Sequence, residues 1–262
     1  MSNPPLPPEI LDYIVDNLHD EPEALQNCSL VTKSWVPRTR KHLFADITFS
    51  SPKRLESWKR TFPDPSSSPA YHTHTLSVQC LQVVTMADAE EGGWIRAFSR
   101  VVRLEVDNSV ENLDDLELTL APFHVFSPTL RSLCVVSIIL PLSQILGLIH
   151  SLPLLEDLTL DTRSILNDDD PVVGGPPTAI PPPSSPPFTG TLYLDLLISM
   201  EPAARRLLDL PNGLRFRHIT LSWLRGDDLP WINALVVECS DTLESINVSR
   251  RLFGAIIRFL RR

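Results

Sequence analysis

One spacing of apolar residues recurs along most of this chain of 262 residues. In each occurrence an apolar residue, or a threonine, is followed by an apolar residue three positions later and by another two positions after that. The occurrences begin at Phe44, Thr73, Val101, Leu130, Leu155, Thr189, Phe216 and Leu243. Successive starts are therefore 29, 28, 29, 25, 34, 27 and 27 residues apart. Because an interval of two is the period of a half-buried strand, the pattern predicts eight short strands that repeat in phase.

Segments with helical patterning lie between several of these predicted strands. They cover residues 52–62, 141–151, 201–209 and 228–240. A strand and a helix that recur at this interval resemble the leucine-rich repeat, although the asparagine or cysteine expected after each strand is missing. In such repeats no unit buries its apolar face alone, and stacking of the units creates one continuous core. We therefore expect an α/β fold in which residues 49–262 form a divergent leucine-rich-repeat-like solenoid.

The first 45 residues have a different pattern, with apolar residues at helical spacing. A proline pair and a glutamate open a first helix in which Ile10 and Ile14 share one face. Residues 20–23 are typical of a second helix start, and Thr32 is expected to cap a third helix that runs toward Phe44. The pattern thus predicts three short helices.

Three segments of this region resemble the F-box in sequence and in spacing. They are residues 6–11 (Leu-Pro-Pro-Glu-Ile-Leu), 28–35 (Cys-Ser-Leu-Val-Thr-Lys-Ser-Trp) and 42–44 (His-Leu-Phe). They resemble in particular the F-box-like family of mushroom-forming fungi, in which a Leu-Pro-Pro-Glu start and a Ser-Leu-Val-x-x-Ser-Trp centre recur. Pro37 departs from many relatives and is expected to shorten or kink the third helix. The resemblance assigns residues 1–48 to an F-box domain.

This resemblance implies that the module binds the Skp-type adaptor of cullin-RING ubiquitin ligases and, through the adaptor, cullin. Residues that would form or support the contact are Leu6, Pro7, Ile10, Ile14, Cys28, Leu30, Val31 and Trp35. Alternatively, these side chains fill a small three-helix core, and the helices are a structural cap of a repeat-based interaction module with no ligase role. A segment this short cannot bury all of them, so some are expected to face a partner or the body of the chain.

The longest step between units coincides with a change in composition. Three aspartates at 168–170 are followed by eight prolines before Phe188. Proline lacks a backbone donor and favours extended polyproline II, so this stretch cannot join the core. We expect residues 164–190 to form an exposed acidic and Pro-rich insertion loop. The alternative is a binding loop whose Pro183 and Pro186 enter an aromatic groove.

Charge and composition exclude two classes of partner. A net charge of −9 opposes nucleic-acid binding, which depends on many cationic side chains. Residues 132–155 carry no charged side chain and are long enough to span a bilayer. Pro141 and Pro153 divide them, however, and a buried strand, turn and helix are expected there instead of a membrane span. The start of the chain has no pattern of a secretory signal, so we expect a cytoplasmic or nuclear protein.

No constellation of residues predicts catalysis or a cofactor. His72 and His74 would share one face of a strand but have no third metal ligand nearby in the sequence. The acidic pairs at 114–115 and 227–228 are expected to lie at the surface. The cysteines lack zinc-site spacing and are expected to be reduced thiols; they are Cys28, Cys80, Cys134 and Cys239. We therefore expect a binding protein without enzymatic activity.

The C-terminal residues 250–262 combine arginines with apolar residues and predict an amphipathic helix. Such a helix would cap the last repeat with its arginines outward, or would lie on an anionic membrane.

The sequence as a whole predicts a substrate receptor in which the helices bind the ligase adaptor and the repeat body binds an unidentified target protein.

Overall fold

A computed structural model of the protein describes residues 7–79, 81, 84–91, 93–107, 119–137, 140–162, 165–166, 188–196, 200–210, 213–222, 225–249 and 256–260. Its main feature is a nine-stranded sheet whose order is β1-β2-β3-β4-β6-β8-β9-β10-β11. Eight of these strands are parallel, so the α/β class is confirmed. The strands of this sheet are β1 Asp46–Phe49, β2 Thr75–Val78, β3 Arg103–Asp107, β4 Ser132–Val136, β6 Asp157–Thr162, β8 Thr191–Leu196, β9 His218–Ser222, β10 Ser245–Ser249 and β11 Ile256–Leu260. Two further strands, β5 Leu140–Pro141 and β7 Ile165–Leu166, form a separate parallel pair.

The register of the parallel strands aligns their apolar side chains in two rows. One row is Ile47, Leu76, Leu104, Leu133, Leu158, Leu192, Ile219 and Ile246, and the other is Phe49, Val78, Val106, Val135, Leu160, Leu194, Leu221 and Val248. These are the second and third positions of the eight repeated triplets. The positions of the strands and their common phase are therefore confirmed.

Backbone hydrogen bonds join neighbouring units just before their strands begin. In six of the seven steps one backbone carbonyl accepts N–H groups from two successive residues of the next unit, as the Ala45 carbonyl does from His74 and Thr75. The exception is the step that contains the predicted insertion loop 164–190, of which Ile165–Leu166 form β7 and Phe188 is buried, while residues 167–187 lie outside the described part. There the Asp157 carboxylate accepts the second N–H, from Thr191, at 2.6 Å. Gly190 allows this contact, because a Cβ at that position would lie 2.3 Å from the Asp157 carboxylate.

Seven α-helices lie in the described part of the chain. They are α1 Pro8–Asp16, α2 Pro22–Val31, α3 Val36–Leu43, α4 Pro52–Thr61, α5 Leu142–His150, α6 Glu201–Leu208 and α7 Leu229–Glu238. The four helices predicted between strands are confirmed as α4 to α7. The uncharged stretch forms β4, β5 and α5, as predicted. Among the residues described, no helix is long and apolar enough to cross a membrane.

The helices do not form the uniform strand-and-helix repeat that the sequence predicts. Between β2 and β3, and between β3 and β4, the described residues form only short 3-10 helices. Large side chains on these connections are buried, among them Trp94, Phe98, Phe123 and Phe126. These side chains belong to the same core cluster as the apolar side chains of the strands.

The predicted C-terminal capping helix is wrong. Residues Ile256–Leu260 form β11, which pairs antiparallel with β10. The pairing gives hydrogen-bond partners to the edge of β10, which would otherwise be open. The mixture of arginine and apolar residues in this segment does not by itself distinguish a strand from a helix.

The three N-terminal helices are present, but the third begins later than predicted. Thr32 is extended at the end of α2 and does not cap α3, whose first helical residue is Val36. Pro37 lies in the first turn of α3, where its missing N–H removes no helical hydrogen bond. Pro37 therefore shortens the helix at its start and does not kink it.

Candidate functional site

Apolar side chains are exposed on the first two helices. Ile10 and Ile14 on α1 are 47% and 40% exposed, and Leu30 and Val31 at the end of α2 are 84% and 68% exposed. Tyr13, also on α1, is 67% exposed. We call these five residues the N-terminal apolar surface. Its members on α1 lie three and four positions apart, so they share one face of that helix.

The small size of the helical module accounts for this exposure. Each helix contributes one fully enclosed side chain: Val15 from α1, Leu25 from α2 and Thr39 from α3. Three short helices cannot enclose more, because their surface is large relative to their volume. Exposed apolar side chains that share one helix face, as Ile10, Tyr13 and Ile14 do, are typical of a protein-binding surface.

The other residues expected at the adaptor contact lie in different environments. Pro7 is exposed, Cys28 and Trp35 are half-buried, and Leu6 lies outside the described residues. The indole N–H of Trp35 is buried and has no hydrogen-bond partner in the described structure. Tyr13 was not predicted, although its position three residues after Ile10 is a signal that the sequence contains.

Asp16 joins the first helix to the third. Its carboxylate accepts hydrogen bonds from two nitrogens of the Arg38 guanidinium and is 2.7 Å from Nε2 of His42. The Arg38 hydrogen bond, supported by His42, holds the pKa of Asp16 well below its ordinary value of 3.8. This ion pair therefore links the helix that carries Ile10 and Ile14 to α3.

We expect Asp16→Asn to lower the free energy of unfolding at pH 7 by roughly 1 kcal/mol, a modest value because the side chain is 36% exposed and solvent screens the pair. Since the pKa of Asp16 is depressed in the folded state, its contribution is complete above pH 3.8 and is lost as the pH falls below that value. Urea unfolding at pH 7 and at pH 3 should show a smaller difference between wild type and variant at the lower pH. Asp241→Asn, at an exposed position outside the three N-terminal helices, is the control, and an equal effect of the two substitutions would contradict the assignment.

The open face of the sheet is polar and carries several carboxylates. Glu105 and Tyr193 lie between the two apolar rows and therefore point to this face. Asp161 and Asp195 lie side by side on the neighbouring strands β6 and β8. The Tyr193 hydroxyl donates to Asp195 at 3.1 Å. Burial raises the pKa of Tyr193, and both nearby carboxylates act in the same direction. The face offers acceptors and negative charge to a partner.

Candidate chemical groups do not converge in the part of the chain that is described. No group of three or more metal-ligating side chains occurs among these residues. His72 ends the short helix Pro69–His72 and His74 precedes β2, so the prediction that they share one face of a strand is wrong. Burial raises the pKa of the Cys134 thiol to about 11. A thiol with that pKa is a poor nucleophile at neutral pH.

Asp228 is not at the surface, where the sequence analysis placed it. It is buried and its carboxylate accepts the N–H groups of Arg225 at 2.8 Å and of Met200 at 3.1 Å. Placing it at the surface was wrong, because these two N–H groups need an acceptor within the fold. Its partner in the acidic pair, Asp227, is exposed as expected, and residues 114–115 lie outside the described part.

Comparisons with protein-family models, with curated proteins and with solved structures gave no match to this chain.

Proposed function

We propose that this chain is the substrate-recognition subunit of a Skp-cullin-F-box ubiquitin ligase. The observation that carries the proposal is the N-terminal apolar surface, formed by side chains that three short helices leave uncovered. In this proposal α1 to α3 are an F-box, and the surface docks on an apolar groove of the Skp-type adaptor. An interface of ordinary size buries about 800 Å² on each partner, with a few large apolar anchors at its centre.

The body of the chain would present the target. Parallel strands that follow chain order across one sheet, with two aligned apolar rows, support a divergent leucine-rich-repeat-like solenoid. Such arrays leave one broad face open to a partner. In this chain that face carries Glu105, Asp161, Tyr193 and Asp195. The receptor acts by proximity: it holds a target near the ubiquitin that other subunits transfer, and it breaks no bond itself.

A second candidate is a repeat-based interaction module whose helices are a structural cap. One observation favours it: α3 packs on the short helix Pro69–His72, and the Thr73 hydroxyl donates to the Phe44 carbonyl at 2.8 Å. These contacts attach the helices to the start of the sheet. They leave the N-terminal apolar surface uncovered, which the first proposal explains and the second does not.

Mixing the purified full chain with a purified fungal Skp-type adaptor separates the two functions. The ligase proposal predicts a one-to-one complex that elutes together in size-exclusion chromatography and gives a dissociation constant in the nanomolar to micromolar range by calorimetry. If the folded chain and the adaptor elute separately at concentrations above that range, the cap function stands and the ligase proposal fails.

A further inference from the structure

The first strand of the sheet has an open edge. Its only strand neighbour in the described structure is β2, on which the Ala45 and Phe49 carbonyls accept N–H groups from Thr75 and Gln79. Alternate residues of a strand direct their N–H and C=O groups to the same side. Asp46 and Thr48 therefore direct theirs away from β2, toward the outside of the sheet. Both residues are exposed.

A groove of about 260 Å³ lies beside this edge, between β1 and α4. Ile47, Phe49, Trp58 and Phe62 give it an apolar floor, and Arg54 is at its rim. The volume is below the range of about 300–1,000 Å³ that is typical of small-molecule sites. It suits one or two side chains of a peptide. We call this site, together with the outer edge of β1, the edge groove.

The positive charge of Arg54 favours an acidic residue in the bound partner. Among the cations of α4, Lys59 is 3.0 Å from Asp88 and 3.8 Å from Glu56, so it is already paired. The guanidinium of Arg54 has neither a hydrogen bond nor an ion pair with any residue that the structure describes. A carboxylate next to the apolar floor would neutralise Arg54.

We propose that the edge groove binds an extended segment of a partner protein, which adds to the sheet as a strand beside β1. Backbone bonds to Asp46 and Thr48 would hold the segment, as in other cases of strand addition. Residues two apart in a strand share a face, so an apolar residue in the groove and an acidic residue at Arg54 form an apolar-x-acidic pattern. The β1 strand of a second copy does not supply this pattern, because Ile47 is followed two positions later by Phe49 and not by an acidic residue. The inference is independent of the N-terminal apolar surface.

A displayed library of random linear peptides of about six residues, the usual length of a strand, is the probe. The full chain is the target of selection, and the Thr48→Pro variant is used to remove peptides that bind elsewhere. Proline at position 48 deletes an outward N–H that the β1–β2 ladder does not use. We expect the selected peptides to carry the apolar-x-acidic pattern.

Fluorescence anisotropy with a selected peptide then tests the assigned contacts. Thr48→Pro and Arg54→Glu should each weaken binding by about tenfold or more, equivalent to one hydrogen bond or ion pair. Thr48→Val, which keeps the N–H, and Lys53→Glu, which changes the same charge outside the groove, should leave the affinity within about twofold. Adaptor binding should be unchanged in all four variants.

A methylated peptide provides a test that needs no change in the protein. Methylation of the peptide N–H groups that face β1 should abolish binding, whereas methylation of the alternate N–H groups should not. If Thr48→Pro does not fold, this pair of peptides decides. The proposal is overturned if no peptide distinguishes the wild type from the groove variants, or if both methylated peptides bind equally.

Discussion

Ile10→Asp is expected to weaken binding of a Skp-type adaptor by about 100-fold or more, the loss that a central apolar anchor of an interface produces. Ile10 is nearly half exposed, so its side chain contributes little to the stability of the free chain. In the complex the same side chain would be enclosed, and a carboxylate there would lose its hydration without gaining a partner. The measurement is isothermal calorimetry with purified adaptor.

A matched pair of substitutions separates a specific contact from a general effect of added charge. Val31, the last residue of α2, is 68% exposed, and Val237, near the end of α7, is 60% exposed. Val31→Asp should impair adaptor binding, whereas Val237→Asp should leave it unchanged. Equal affinities for the two variants, or an Ile10→Asp variant that still binds as the wild type does, would exclude the N-terminal apolar surface as the contact.

The positions of the strands could be predicted because burial leaves a local mark in the sequence. In the central units the two apolar residues that enter the core are separated by one residue that faces outward, as Leu133 and Val135 are separated by Cys134. Because the same spacing recurs in successive units, it also indicates which residues of neighbouring strands lie side by side. A shift of one residue would place the whole apolar set on the open face.

Other features depend on contacts between distant parts of the chain and leave no such mark. Asp228 looks like any surface acid in the sequence, yet it is buried because the N–H groups of Met200 and Arg225 need an acceptor. The strand Ile256–Leu260 depends on the open edge of β10. The edge groove exists because β1 is the first strand, and no local pattern around Asp46 shows which strand has a neighbour.

The exposure of apolar side chains on the N-terminal helices could be predicted for a reason of size. The sequence shows how many apolar residues the short helices carry, and the small enclosed volume requires that several stay outside. It does not show which of them do. Leu30 and Val31 are exposed at the end of α2, whereas Trp35, named with them, is half-buried beside α3.

Leu133→Ala is expected to lower the free energy of unfolding by about 2 to 5 kcal/mol, the usual cost of removing a fully buried leucine. Leu133 is in the central part of its apolar row, and the register places Leu104 and Leu158 on either side. Because backbone hydrogen bonds hold the neighbouring strands in place, the walls of the new cavity can close only in part. The loss therefore includes both the transfer of the side chain and the empty volume.

The loss of unfolding free energy should depend on where in the apolar row the truncated side chain lies. Ile246 belongs to the same row in the last parallel strand but is only partly buried. Ile246→Ala should therefore cost less than half as much as Leu133→Ala when both are measured by urea unfolding followed by circular dichroism. If stacking of units makes one continuous core, a cavity in the middle weakens the contacts of both flanking units, whereas a change at the last unit weakens one. Equal losses at the two positions would mean that the units do not share a core in this way.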